Sequence, residues 1–98
     1  LKLEGTAVYA ASKAAIVNFT EILAKELSAY EITTNSVGPA PIRTDLIKGI
    51  SEDKFTSMLE TQAIKRYCEF NDVSNVIDFF VQRQSDFVTG QVIYLGGV

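Results

Sequence analysis

Tyr9 and Lys13 stand four positions apart in the run Tyr9-Ala-Ala-Ser12-Lys13. On a helix, residues at this spacing share a face, with Cβ atoms about 5–6 Å apart, so an ammonium can lie against a phenol. A free phenol titrates near 10 and is a poor proton carrier at neutral pH. Turning one into a working acid near neutrality takes roughly 4 kcal/mol of preferential stabilisation of the phenolate. A cation about 4 Å away supplies about 1 kcal/mol in bulk water and about 4 kcal/mol at an effective dielectric near 20. The pair therefore predicts an acid/base device, provided that something covers it and excludes water. A solvated helix pair is the other reading of the same spacing.

A second stretch with chemical potential is Gly38-Pro39-Ala40-Pro41-Ile42-Arg43-Thr44. Two prolines one residue apart remove two amide donors and fix two φ angles. The segment can neither prolong a strand nor start a helix before Pro41. It is a stiff, extended loop, and in an open α/β sheet ligands bind just outside the carboxyl ends of strands. A rigid turn without a ligand is the alternative.

The elements that must position these residues follow from periodicity. Helical character begins near Ala7 and runs to about Tyr30. Ile16, Phe19, Leu23 and Leu27 form one apolar stripe of a 3.6-residue period. Ala10, Ala11, Ala14 and Ala15 favour the helix and allow a neighbouring backbone to come close. Ile32 to Val37 is rich in β-branched residues and predicts a strand closed by Gly38-Pro39. Asp45 to Gln62 is polar and predicts one or two short helices, with Ser51-Glu52-Asp53 as an N-terminal signal. Ala63 to Asn71 is irregular. Asp72 caps a further helix whose apolar face is Val73, Val76, Ile77, Phe80 and Val81. Gln91 to Leu95 is a second strand closed by Gly96-Gly97. The order helix, strand, helical insert, helix, strand is a crossover unit with a helix in front, so the strands should be parallel and the crossover right-handed.

Composition removes several function classes. With 98 residues the chain is one small domain at most, and a net charge of −3 without a basic run argues against nucleic acid. It holds no histidine, which excludes histidine-based triads, and its carboxylates form no cluster that predicts a metal site. Cys68 is the single cysteine, so no internal disulfide can form, which fits a reducing compartment such as the cytoplasm. No apolar run approaches the ~20 residues of a membrane-spanning helix.

Taken in order, the motifs resemble the C-terminal part of a short-chain dehydrogenase/reductase, and are most similar to the 3-oxoacyl-acyl-carrier-protein reductase type. Tyr9-Ala-Ala-Ser-Lys13 resembles the family's Tyr-x-x-x-Lys helix start. Asn35-Ser-Val-Gly-Pro39-Ala-Pro-Ile42-Arg-Thr44 resembles its strand-then-proline loop, with Ala40 where the family usually has glycine. Ala63-Ile-Lys-Arg66, Phe87-Val-Thr-Gly90-Gln91 and Gly96-Gly97 resemble the entry to its last helix, the turn before its last strand and the glycines closing it.

The resemblance implies an α/β fold, the C-terminal part of a Rossmann-like doubly wound parallel sheet. Residues 1–98 would be one segment of a single domain whose cofactor-binding N-terminal part lies upstream. It implies an NAD(P)-dependent oxidoreductase that interconverts a carbonyl and an alcohol on a small molecule. Tyr9 would be the general acid/base and Lys13 would stabilise its phenolate and bond the nicotinamide ribose of NAD or NADP. The main chain of Ile42 would hold the carboxamide, Thr44 would add a hydroxyl contact, and Pro39 would shape the loop. Ser12 is expected to serve the helix start. Asp45 to Arg66 would cover the substrate. Ala40 would strain the loop mildly if its position needs a positive φ. A homo-oligomer, dimer or tetramer, is implied, with the long helix and final strand at interfaces. The 98 residues alone are expected to be inactive, since nothing in them matches the family's glycine-rich phosphate loop. A chain of a different class, a non-catalytic assembly module that pairs with itself or another chain, is the alternative expectation.

Overall fold

The structure is a computed structural model, and it describes residues 7–42 and 52–97. Its elements run α1 (Ala7–Leu27), a 3-10 turn (Ser28–Tyr30), β1 (Ser36–Gly38), α2 (Glu52–Glu60), α3 (Phe70–Val81), a second 3-10 turn (Arg83–Ser85) and β2 (Val92–Tyr94). β1 and β2 pair in one two-stranded sheet. Ser36 N–H donates to Gln91 C=O at 2.9 Å and Leu95 N–H to Gly38 C=O at 2.9 Å, a staggered pattern that makes the pair parallel. The chain divides into two compact units, one of Leu1–Ser36 with Phe79–Val92 and one of Val37–Asp78 with Ile93–Val98. Among the described residues no helix is long and apolar enough to cross a membrane.

In the first unit, α1 starts at Ala7 and gives way to the 3-10 turn that ends at Tyr30, as its periodicity predicts. The stop uses no glycine. Glu31 takes a left-handed conformation (φ 59°), its N–H donates to Ser28 C=O at 3.0 Å, and Ile32 N–H returns to Leu27 C=O at 3.3 Å. These bonds satisfy carbonyls that a helix end leaves open.

The buried face of α1 departs from the apolar stripe. Thr20 and Ala24 are its buried residues, while Ile16 and Phe19 are exposed. At Thr20 and Ala24 small size lets neighbouring segments come close. A Cβ placed on Gly90 would lie 3.4 Å from the Ala24 methyl, so the turn and the helix meet in van der Waals contact. Thr20 Oγ1 donates to Ile16 C=O at 2.7 Å, leaving Ser36 Oγ to donate to Thr20 at 2.6 Å. A larger side chain at position 20 or 24 would push these partners away.

β1 begins four residues later than its β-branched run suggests. Residues 34 and 35 spend their bonding on the turn before β2. Asn35 Nδ2 donates to Val88 C=O at 3.0 Å and its Oδ1 accepts Gln91 N–H at 3.1 Å. Thr34 N–H donates to Thr89 Oγ1 at 3.0 Å, and Gly90 N–H to Thr34 C=O at 2.7 Å. Side chains thus replace the ladder there, and regular pairing starts at Ser36. Ser85, which is 2% exposed, donates its hydroxyl to Phe79 C=O and fixes the exit from α3.

In the second unit, α2 and α3 occupy the two helical regions that the sequence predicts. The Ser51 capping signal and the proposed break near Gly49 lie outside the described residues. α3 starts at Phe70, two residues before the expected cap. Asp72 acts from inside the first turn: its Oδ2 accepts Glu69 N–H at 2.8 Å, the reach-back of a capping box. Of its apolar face Val76 is buried, whereas Ile77 and Val81 are exposed.

Candidate active site

Tyr9 lies in the first turn of α1 and Lys13 one turn later. The Lys13 Nζ stands 5.2 Å from the centroid of the Tyr9 ring. The structure thus brings the pair together through a cation over a ring face, a contact worth about 0.5–1 kcal/mol at an exposed site. Tyr9 is 57% exposed, short of the cover that acid/base work requires. Ser12 Oγ donates to Tyr9 C=O at 2.7 Å. That bond ties Ser12 to the helix backbone, in line with its expected structural place.

The proline loop belongs to the other unit and is anchored at both ends. Gly38 C=O accepts Leu95 N–H at 2.9 Å, and Pro41 C=O accepts Cys68 N–H at 2.9 Å. Between them Ala40 is buried, 6% exposed, while Pro39 stays exposed. The expected strain at Ala40 is absent, because Glu31 is the only non-glycine residue among those described with a positive φ. Its partner carries the unusual conformation instead. Gly96 has φ +87°, and a Cβ there would come within 3.3 Å of the Ala40 methyl. The methyl therefore packs onto a bare glycine backbone. Among the described residues no hydrogen bond takes up the main chain of Ile42. Its N–H and C=O can serve a carboxamide, which needs one acceptor and one donor. The Lys13 ammonium likewise has donors to give to ribose hydroxyls. Each of these donor sets, taken by itself, has the chemistry that a nicotinamide cofactor would use. Thr44 lies outside the described residues.

Behind the loop, Arg66 makes a two-pronged ion pair with Asp72, Nη1 to Oδ2 at 2.8 Å and Nη2 to Oδ1 at 3.0 Å. The Arg66 hydrogen bonds first, and the Glu69 N–H second, pull the Asp72 carboxyl down from 3.8 to about 2. The same bonds raise Arg66 above its ordinary value. A depressed carboxyl stabilises the fold fully above its unfolded value and loses that contribution as pH falls through the folded one. Acid unfolding of the protein should therefore steepen between about pH 4 and about pH 2. Asp72→Asn should remove that component and raise the pH of half-unfolding, as circular dichroism along an acid titration would show. An unchanged acid midpoint would contradict the assignment.

Gln62 is the residue here that sequence reasoning missed. It is 3% exposed, and its Nε2 donates to Ile64 C=O at 2.9 Å and to Arg66 C=O at 3.2 Å. A lone glutamine in a polar run gives no periodic or motif signal.

A family model described as enoyl-(acyl carrier protein) reductase matches residues 2–97 of this chain. The chain belongs to the short-chain dehydrogenase/reductase family. A 3-oxoacyl-[acyl-carrier-protein] reductase of Staphylococcus epidermidis is 36% identical over 93 residues, covering 95% of this chain and 38% of the relative. A short-chain dehydrogenase/reductase of Serratia marcescens superposes with a TM-score of 0.87 at 30% identity, over 99% of this chain and 40% of that one. A blue fluorescent protein from a metagenomic library, solved with NADPH, gives a TM-score of 0.79 at 32% identity, over 91% of this chain and 36% of that one. The chain thus spans 38% of the length of a curated relative it matches. As a member of the short-chain dehydrogenase/reductase family it carries a Tyr-x-x-x-Lys helix start and a proline loop, and its α/β character is that of the family's Rossmann-type fold.

Proposed function

We propose that this chain acts within an NAD(P)-dependent oxidoreductase that interconverts a carbonyl and an alcohol, with a 3-oxoacyl thioester as the substrate class. The observation that carries the reading is the Tyr9–Lys13 pair, with the ammonium 5.2 Å from the ring centroid, in a chain of this family. The substrate class follows the names of the relatives, and NADP as the preferred cofactor follows the NADPH held by a structural neighbour.

When bound, the nicotinamide cofactor supplies the hydride. The chain's own residues supply the proton and the placement. Tyr9 Oη gives its proton to the carbonyl oxygen as that oxygen becomes an alkoxide. Lys13 stabilises the resulting phenolate and donates to the ribose hydroxyls. Ile42 holds the carboxamide through its main chain, Pro39 stiffens the loop that presents it, and Thr44 adds a hydroxyl contact. The exposed Ile16 and Phe19 on α1 suit burial against the remainder of a fold of the relatives' length or against a second subunit of a homo-oligomer. The reaction is assigned to a fold of the relatives' length, and the 98 residues alone are expected to give no turnover.

The test is oxidation of NADPH and of NADH by the full-length protein with a 3-oxoacyl thioester, followed by absorbance with the alcohol product quantified. Cofactor oxidation matched by alcohol is expected. No oxidation with either cofactor would overturn the proposal. Turnover by the isolated 98 residues would overturn the assignment to the whole fold.

A further inference from the structure

Gln62 sits where three main-chain ties of the second unit converge. Ala63 N–H donates to Gly97 C=O at 3.0 Å and Ile64 N–H to Gly96 C=O at 3.0 Å, clipping the segment after α2 onto the end of β2. Cys68 N–H holds Pro41 C=O at 2.9 Å. Between these ties the chain must curl so that the carbonyls of Ile64 and Arg66 turn inward, and both of them end on the Gln62 amide nitrogen, at 2.9 and 3.2 Å. The same nitrogen lies against Gly96, where an added Cβ would come within 3.0 Å of it, and Ala40 lies against Gly96 as well. Gly96 thus stands against both the amide and Ala40 of the proline loop.

The acceptor side of this amide gains nothing. Gln62 Oε1 is buried without a hydrogen-bond partner. An apolar side chain of the same length would escape that desolvation cost. What the position uses is its pair of donors.

We infer that Gln62 is a positioning residue for the Pro39–Ile42 loop, setting through the 62–68 curl and the Cys68–Pro41 bond where the Ile42 main chain meets a nicotinamide carboxamide. The inference rests on the cofactor role proposed above for that loop. Its consequence for the cofactor is specific. Loss of the two donor bonds lets the loop drift, which weakens cofactor binding while the proton-transferring pair on α1 is left untouched.

The experiment compares the full-length enzyme with Gln62→Met, which keeps length and removes both donors, and with Gln62→Glu, which keeps shape and turns acceptors toward two carbonyls. Both should raise the KM and Kd for NADPH about five- to tenfold while kcat at saturating cofactor stays within about twofold. A residue that only supports the fold would lower Tm and leave the KM of the folded fraction alone. Amide hydrogen exchange on the unsubstituted enzyme keeps the question open to refutation if the variants do not fold. NADPH should slow exchange at Ala63, Ile64 and Cys68 together, by about tenfold or more. An unchanged cofactor KM in folded variants, or exchange at these three amides indifferent to bound NADPH, overturns the inference alone. Failure of the unsubstituted enzyme to bind NADPH or NADH overturns it together with the proposed function.

Discussion

Tyr9→Phe is expected to lower the turnover of the full-length enzyme by about 10²–10⁴-fold, the usual worth of a positioned general acid or base. Phenylalanine keeps the ring that Lys13 covers and removes only the hydroxyl. The 5.2 Å approach of the ammonium to the ring can persist, so the dissociation constant for NADPH should stay within about twofold. Steady-state kinetics together with a fluorescence titration of cofactor separate the two effects. Equal losses in turnover and cofactor binding would mean that Tyr9 serves the pocket's shape and not the proton.

The second large effect concerns the end of β2. Gly97 has φ +77°, and a Cβ there would lie 2.5 Å from the Ala63 Cβ. A left-handed conformation costs an L-residue about 1–2 kcal/mol, and overpacking a filled site a further 1–3 kcal/mol. Gly97→Ala should therefore destabilise the protein by about 2–5 kcal/mol, a large share of the 5–15 kcal/mol typical of a folded domain. Ala63 cannot yield, because its methyl is fixed to a backbone whose N–H is bonded to Gly97 C=O. Gly38 makes the contrast. A Cβ there would come within 2.6 Å of the Tyr94 ring, but Tyr94 is 58% exposed and can swing out. Denaturant unfolding should rank Gly97→Ala well above Gly38→Ala. Adding Ala63→Gly to Gly97→Ala should recover the steric part of the loss and leave the conformational part. If Gly38→Ala proves the more damaging, the account of the 62–66 clip is wrong.

Local signals placed the helices well. α1 begins where alanine-rich sequence and 3.6-residue periodicity begin, and β2 falls inside its apolar run before the paired glycines. The proline loop was visible for a simple reason: two prolines forbid both regular alternatives. The misplacements share another cause, which is that partners far along the chain decided them. β1 is short because Asn35 and Thr34 bond to residues 88–91, and no window around position 35 contains those residues. The buried face of α1 is Thr20 and Ala24 because Ser36 and Gly90 come close to small side chains. The apolar stripe with Ile16 and Phe19 lies on another face, which the described residues leave exposed. Ala40 looked like a strained replacement for glycine, but whether it is strained depends on Gly96, more than fifty positions away. Gln62 gave no signal at all, since its role is made of main-chain carbonyls that every sequence has.

The central claim is that Tyr9 and Lys13 work as a unit, the lysine acting on the reaction through the phenolate it stabilises and on the cofactor through its own donors. A double-mutant cycle on the full-length enzyme tests this most directly: Tyr9→Phe, Lys13→Ala and the double variant, each assayed for kcat at saturating NADPH and for NADPH affinity. Residues that act together are strongly non-additive in such a cycle. Lys13→Ala alone should lower both kcat and NADPH affinity. On the Tyr9→Phe background it should lower affinity by the same factor and reduce kcat little further, within about threefold, because no phenolate remains to stabilise. If Lys13→Ala lowers kcat by the same large factor with and without the Tyr9 hydroxyl, the two residues act independently and the account fails.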